Sequence, residues 1–419
     1  MKRLSVKVVL TNQYRDRTDW ESLVMGMPLR GKILGSLVVG LALCLVAAGC
    51  GNDKDNSVIT IGYAAAITGE LAPYDSPDGV QCAIDRINED GGVLGRQIKL
   101  LVKDMESDPV RAGEVAQQLL DAEVSLILGP PTDDTAIPIA DLAHADGRGV
   151  AVLAVTATQP GYPIASPENG FMTAYGDNSS AAAVAEYLFG QGVRTAYLMF
   201  TSDIGSYGLV TPNAFGDALE RLGGSVVGSD TWSYGVGDFG PHVTRIAALA
   251  DEPDTVFFAG PVPDNASFVR QLRDAGVDSV VSGTDGFDDP AFLEVGGDDV
   301  NGTVFSTLGF PHPGGTLLEF YNDCDRRGYN VRNVFTGMGG DAMQVVKAAI
   351  ERAGSSKPRA ILNAIRGLDT VQGIVTDSIT YKDMGGTPLR NIAVVVVRDG
   401  QFVHAADVAP GYVPVPRTG

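Results

Sequence analysis

The chain has 419 residues, 51 of them acidic and 31 basic, with a formal net charge of −20 and 44% hydrophobic residues. This length sets two domains as the expectation. The acidic surplus argues against nucleic acid as a partner, because phosphate binding needs clustered Lys and Arg and the sequence has no such cluster.

The first distinctive segment runs from Ile33 to Gly49, seventeen apolar or small residues preceded by Arg30 and Lys32. A helix rising ~1.5 Å per residue needs roughly 20 residues to cross a bilayer, so the run is short for a span. A core helix would show a polar face, and this run has none. Charged, apolar and small residues follow in the order of a secretory signal. Residues 1–24 carry charges out to Glu21 and are unlike a signal, which points to Met25 or Met27 as its start. The step Leu45-Val46-Ala47-Ala48-Gly49-Cys50 resembles a bacterial lipobox, with Ala47 where leucine is commonest. That resemblance implies a lipidated Cys50 after an N-terminal extension and signal peptide (1–49), followed by a polar leash (50–56). Acyl chains gain ~0.8 kcal/mol per buried CH₂, so two or three of them would tether the protein to a membrane it does not span.

Three acidic and seven basic residues precede Cys50, leaving 48 acidic against 24 basic in the remainder. Cys44 departs with the signal and Cys50 is committed to lipid, so Cys82 and Cys324 remain. An exported compartment permits a disulfide between them, and two separate buried thiols are an equally open reading.

The body alternates strand and helix. "VITIGYAA" (58–65) is β-branched and apolar, and Val80, Ala83, Ile84 and Ile87 then recur at helical spacing up to Gly91-Gly92. A strand at 97–104, a helix at 108–122 opened by Asp108-Pro109, an apolar strand at 124–129, a helix at 136–147 and a strand at 150–155 complete a first series. A second series has helices at 181–192, 207–223, 243–252 and 264–276, with strands at 195–200, 225–230, 255–260 and 279–284. Apolar strands separated by single helices imply parallel sheets with crossover connections, the doubly wound α/β class. Two series imply two lobes.

Catalytic apparatus is missing from this pattern. His144, His242, His312 and His404 are scattered, none within an HExxH or beside cysteines at metal spacing. The sequence contains neither GxSxG nor GxxxxGK[ST]. A GxGxxG match at Gly235–Gly240 runs directly into Pro241 and follows the polar "SDTWSY", which makes it a loop with Asp238 near a helix start, not a dinucleotide fingerprint. The expectation is a binding protein without catalytic residues, metal or cofactor.

"ITIGYAAAITGELAPYDSPDGVQCAIDRINEDGGVLGRQIKLLVKDMESDPVRAGEVAQQLL" (59–120) closely resembles the opening of the branched-chain amino acid-binding proteins. The likeness continues through "LILGPPTDDTAIPIA", "VAVLAVTATQP", "VFFAG", "VVSGTDGF" and "VQGIVTDSITYKDMGGTPLRNIAVVVV". It implies the type I periplasmic-binding-protein fold, with two doubly wound parallel-sheet lobes joined by a three-stranded hinge. Lobe one would comprise 57–175 with 308–390, and lobe two 176–307 with 391–419. The implied function is an extracytoplasmic lipoprotein, monomeric and anchored to the outer face of a bacterial cell membrane. It would capture an amino acid or related small amide or amine and deliver it to an ABC permease. The same fold could instead serve as a sensor coupled to a membrane signalling partner.

Residue by residue, Thr156 and Thr158 match family positions that hold the ligand zwitterion, and Asp285 matches the acid that receives its ammonium. Tyr74 and Tyr207 match pocket aromatics, one per lobe. Asp133 stands where the family has a serine that binds the ligand carboxylate, and Pro261 replaces an aromatic residue. Two carboxylates facing each other in a closed cleft repel by several kcal/mol. Two readings of Asp133 therefore stand. Either Asp133 or Asp134 caps the following helix while Thr132 or Thr135 supplies a hydroxyl, or Asp133 faces a ligand that is cationic or carries an amide in place of the carboxylate.

Substituting Cys50→Ser is expected to move the protein from the membrane to the soluble fraction on cell fractionation. Continued co-sedimentation with membranes would contradict the lipobox reading.

Overall fold

The computed structural model describes residues 58–417, apart from 332 and 377. Cys50, the signal and the leash lie outside the described residues. Two sheets organise the rest. The first contains β1 (Val58–Ala65), β2 (Gln97–Asp104), β3 (Ile127–Gly129), β4 (Val152–Ala154) and β5 (Gly170–Met172). These five strands run parallel in the order β2-β1-β3-β4-β5. Helices α1 (Pro77–Glu89), α2 (Pro109–Asp121), α3 (Asp133–Ala145) and the short α4 (Gly161–Ala165) alternate with them.

The chain then passes to the second lobe. It begins with α5 (Asp177–Gly190), β6 (Thr195–Phe200), β7 (Asp203–Ser206), α6 (Tyr207–Leu222), β8 (Ser225–Thr231) and α7 (Gly240–Ala247). It continues through β9 (Thr255–Phe258), α8 (Asp264–Asp274), β10 (Val280–Gly283), α9 (Pro290–Gly296) and β11 (Val304–Thr307). Helices α10 (Thr316–Arg326), α11 (Val334–Ala353) and α12 (Pro358–Arg366) return to the first lobe, packing with residues of β1 to β5 in one hydrophobic cluster. Finally β12 (Ile392–Arg398) and β13 (Gln401–Val408) rejoin the second sheet, whose order is β13-β12-β11-β10-β9-β6-β8. That sheet differs from the all-parallel expectation. β12 runs antiparallel to β11, and β13 antiparallel to β12, because a two-residue connection between them permits only a hairpin.

Strand burial explains the continuous apolar runs. Along β1, Ile59, Ile61, Tyr63 and Ala65 enter one cluster while Ala64 enters the cluster on the opposite face. Along β6, Tyr197 and Met199 enter one cluster and Ala196 and Leu198 another. Each sheet is thus covered on both sides. Helix starts are encoded locally. The Asp108 carboxylate accepts from the N–H groups of Val110 at 2.7 Å and Arg111 at 3.0 Å, with Pro109 in the first turn. The GxGxxG segment is a loop, as its neighbours imply. Gly235 and Gly237 have positive φ, and the Asp238 carboxylate accepts from the Gly240 N–H at 2.9 Å where α7 begins.

Two contacts fix the helical layer of the first lobe. Helices α1 and α11 meet at glycines: a Cβ on Gly79 would stand 2.1 Å from the Thr336 carbonyl oxygen, so no larger residue fits. Cys82 of α1 and Cys324 of α10 form a disulfide, with Cα atoms 5.7 Å apart. The open question of their pairing is thereby resolved, since both thiols project into the same buried cluster from adjacent helices. A third contact lies where the lobes join. The buried Arg390, just before β12, pairs with the buried Asp341 of α11 and donates at 2.7 Å to the carbonyl of Thr173, on the segment leaving β5. Asp341 also accepts from the Val375 N–H at 3.2 Å. One guanidinium thus ties two interlobe segments to a first-lobe helix.

The disulfide closes a sequence separation of 242 residues, and removing such a constraint typically costs ~2–5 kcal/mol, mainly through the unfolded chain. A reductant is therefore expected to lower the melting temperature of the native protein and to leave a Cys82→Ser/Cys324→Ser variant unchanged. Equal sensitivity of both would contradict the bridge.

Candidate functional site

The connections leaving β1, β3, β4, β9 and β10 open toward a cleft that communicates with solvent. Its location follows from the fold, since open parallel sheets leave crevices at the carboxyl ends of their strands. Thr156 and Thr158 lie after β4, Asp285 follows β10, Tyr207 begins α6, and Tyr74 ends a short helical turn after β1. These five residues line one cleft, although they come from both series of elements.

Buried polar groups hold the wall that carries Tyr74. The Asp75 carboxylate accepts from the Tyr63 hydroxyl, the Ala66 N–H at 2.6 Å and the Ser76 N–H at 2.8 Å. Burial pushes its pKa up to about 6 despite those bonds. Asp104, at the end of β2, accepts from the N–H groups of Ile67 and Thr68 and from the Thr68 hydroxyl. Gly69, at φ +89°, leaves room for Ser107, whose Oγ would lie 2.5 Å from any Cβ placed there. Tyr74 then stands edge-on to Phe335 of α11, with ring centroids 5.6 Å apart.

On the opposite wall the Tyr207 hydroxyl and Thr284 Oγ1 lie 2.7 Å apart in a hydrogen bond. This contact sets the tyrosine ring beside the turn that carries Asp285. Asp285 is buried, and its Oδ1 has no hydrogen-bond partner among the described residues. Burial raises its pKa to about 6.

A second carboxylate, absent from the sequence reading, is buried nearby without lining the cleft. Asp177, the first residue of α5, is fully buried, and neither of its side-chain oxygens has a partner among the described residues. Its N–H donates at 2.7 Å to the Thr158 carbonyl, fixing it against the first lobe. Burial first, then repulsion from Asp285, drives its pKa well up. The nearby Thr158 side chain opposes this shift without closing to ordinary hydrogen-bond geometry. The buried Thr156 hydroxyl and the buried Tyr175 hydroxyl also lack hydrogen-bond partners among the described residues. Exposed Glu70, Asp134 and Asp203 add carboxylates to the lining, and no Lys, Arg or His is among the described lining residues.

Asp133 takes neither of the two roles read from the sequence. It does not line the cleft; its neighbour Asp134 does. Nor does it hold the N-cap position of α3, which is Thr132, although its Oδ1 accepts from the first-turn N–H of Asp134 at 3.0 Å. Its Oδ2 instead accepts from the Ser206 hydroxyl, immediately before α6. The contact joins a first-lobe helix to the second lobe, and Gly205 presses close to the same carboxylate. The physical reason is orientation: at the first residue of the helix the side chain points across the interlobe gap. Burial raises its pKa. Pro261 does line the cleft.

No sequence pattern announced Asp177, because an acid opening an alanine-rich helix reads as favourable to the helix dipole. Only the fold shows it to be buried opposite Asp285. The raised pKa of Asp285 has a testable consequence. An aspartate in the unfolded chain titrates near 3.9, so the folded state prefers the protonated form, and this group's contribution to stability is full below that value and lost as pH rises through about 6. Asp285→Asn is expected to melt above the native protein at pH 7, with the gap closing as the pH falls through about 6 towards ~4. A variant less stable than the native protein at pH 7 would contradict the assigned burial of an unpaired carboxylate.

Comparison with known proteins places this geometry in a family. A family model for periplasmic binding proteins matches residues 58–401. The Leu/Ile/Val-binding protein BraC3 of Rhizobium johnstonii is 27% identical over 350 residues, covering 83% of this chain and 94% of the relative. Among solved structures, the branched-chain amino acid transporter substrate-binding protein LivJ of Streptococcus pneumoniae, in complex with isoleucine, superposes with a TM-score of 0.74 at 21% identity, over 84% of this chain and 99% of LivJ. A solute-binding protein of an R. palustris ABC transporter, in complex with benzoate, does so with a TM-score of 0.72 at 19% identity, over 85% of this chain and 98% of the neighbour. No helix of the described residues is long and apolar enough to cross a membrane. The chain belongs to the periplasmic binding protein family, and it is similar to a Leu/Ile/Val-binding protein and to a transporter substrate-binding protein of that kind.

Proposed function

We propose that this chain is a lipid-anchored receptor that closes on an amine-bearing solute, an amino acid or a related small amide or amine, and hands it to an ABC permease. The observation that carries the reading is the buried acid Asp285 in a cleft whose lining has acids but no bases among the described residues, with a second buried acid, Asp177, close enough behind it for the two charges to repel. Buried carboxylates without hydrogen bonds are costly, and an ammonium bound at Asp285 offsets that cost by charge-assisted hydrogen bonding. The Thr156 hydroxyl supplies a further free polar group, and Tyr74 and Tyr207 enclose the apolar part of the solute.

The relatives differ in what they hold, isoleucine in one and benzoate in another, so the solute class must be argued from this cleft. Glu70, Asp134 and Asp203 make it hostile to an anion such as benzoate. With Ser206 bonded to Asp133, that hydroxyl is engaged within the protein. The lining therefore favours solutes with a net positive charge over those whose carboxylate lacks an amine.

The lobes in this reading are 57–175 with 308–390 and 176–307 with 391–419. A solute that contacts both shifts the equilibrium towards the closed form by its differential affinity, and the closed form presents the surface the permease reads. Acyl chains on Cys50 would keep the receptor beside that permease.

Thermal-shift screening across amines, amino acids, amides and simple carboxylates tests the class, because a solute bound only to the native state raises its melting temperature. Amine-bearing solutes are expected to stabilise the protein, and Asp285→Ala is expected to cost the best of them ~2–5 kcal/mol in calorimetry. Tight binding of an amine-free carboxylate, indifferent to Asp285→Ala, would overturn the proposal.

A further inference from the structure

Two of the chain's four histidines meet although 92 positions separate them in sequence. His404 lies on β13, and His312 lies between β11 and α10, on the segment that carries the chain back to the first lobe. Their rings stand edge to face with centroids 4.5 Å apart, and Phe310 packs against both, at 5.2 and 5.6 Å. A third polar group joins them. His404 Nε2 lies 3.1 Å from Asp407 Oδ1, and one ligand atom from each of His312, His404 and Asp407 falls within 4.8 Å of the other two.

The backbone accounts for this grouping. On a regular strand, residues three apart point to opposite faces, so His404 and Asp407 would diverge. The β12–β13 ladder is interrupted there: Val394 pairs with Ala406 and Val395 with His404, which leaves Ala405 as an extra, unpaired residue. A bulge of this kind resets the alternation by one residue and re-aims the side chains that follow it. Asp407 is thereby brought to the face of His404, where the hydrogen bond between them is made. Two imidazoles and a carboxylate on one surface are an N₂O donor set, suited to zinc-like divalent transition metals and poorly suited to Mg²⁺ or Ca²⁺, which take oxygen ligands.

We propose that His312, His404 and Asp407 form a binding site for a zinc-class divalent ion, which pins the interlobe segment around His312 to the C-terminal hairpin. None of the three lines the cleft. In a tetrahedral zinc site, metal–ligand distances of ~2.0–2.2 Å place neighbouring ligand atoms ~3.3 Å apart. The three groups must therefore converge by about 1.5 Å at most, a motion that side-chain rotation supplies because His312 and Asp407 are exposed and His404 is half-buried. Water completes the fourth position, as it does at three-ligand zinc sites.

The test is calorimetric titration of Zn²⁺ alone into the full chain, held in detergent and stripped with a chelator, with millimolar Mg²⁺ present to occupy scattered carboxylates. One equivalent is expected to bind. Since changes outside the ligand set already cost ~10–100-fold in metal affinity, His404→Ala and His312→Ala should each weaken binding at least tenfold. His144→Ala, on α3, should leave it unchanged. All three substitutions are expected to retain the native melting temperature in the absence of metal, and Zn²⁺ should raise that temperature in the native protein and not in the His312→Ala/His404→Ala double variant. Equal Zn²⁺ affinity in the native and double-variant proteins, or no stoichiometric binding by the native protein, would overturn the assignment.

Discussion

The cleft is organised by an electrostatic imbalance: Asp285, which lines it, and Asp177, buried close enough to repel it, both have oxygens without partners among the described residues, and no cation is among the described lining residues. Both have raised pKa values, burial being the first cause in each case. Such an arrangement weakens the unliganded fold, and proteins keep features of that kind where binding requires them. In the proposed function, an ammonium bound at Asp285 would relieve desolvation and mutual repulsion together. Its interaction is therefore worth more in the closed cleft than on an open surface, which is the differential affinity that closure needs.

Holding two like charges out of water demands a rigid frame, and the frame is visible at three levels. Each sheet is covered on both faces, so the strand ends that carry Thr156, Thr158 and Asp285 are fixed by packing on either side. The Cys82–Cys324 disulfide and the glycine contact of α1 with α11 lock the helical layer behind Tyr74 and Phe335. The buried Arg390–Asp341 pair, with its bond to Thr173, holds the interlobe segments in register. Against this frame, two hydrogen bonds link the lobes beside the cleft. Ser206 donates to Asp133, and the Asp177 N–H donates to the Thr158 carbonyl. Opening the cleft breaks hydrogen bonds that water can replace, while the cores stay intact.

The sequence disclosed the frame far better than the site. β1, β2 and β6 are legible to the residue because each is a short apolar-rich run bounded by polar or turn residues. β13 was not foreseen, since Gln401–Val408 is largely half-buried and mixes polar with apolar residues in a strand broken by a bulge. Helices α10 to α12 follow no alternation with strands, so their return to the first lobe is a tertiary fact. Five of the six proposed ligand residues converge on the cleft because position at a strand end is inherited with the fold. Asp133 diverges because its fate depends on a single side-chain direction and on Ser206, a partner 73 positions away. Asp177 and the His312, His404 and Asp407 group escaped for a similar reason: burial, a crossover and a one-residue bulge put them together, and none of these is local in sequence.

The most direct measurement is the number of protons exchanged when an amine-bearing solute binds at pH 6, obtained by calorimetry in two buffers of different ionisation enthalpy. At that pH Asp285 is partly protonated in the unliganded cleft, and an incoming ammonium favours its ionised form. The account requires net proton release that diminishes in Asp285→Asn. Proton uptake on binding, or exchange of no protons at all, would show that no strained carboxylate receives the solute.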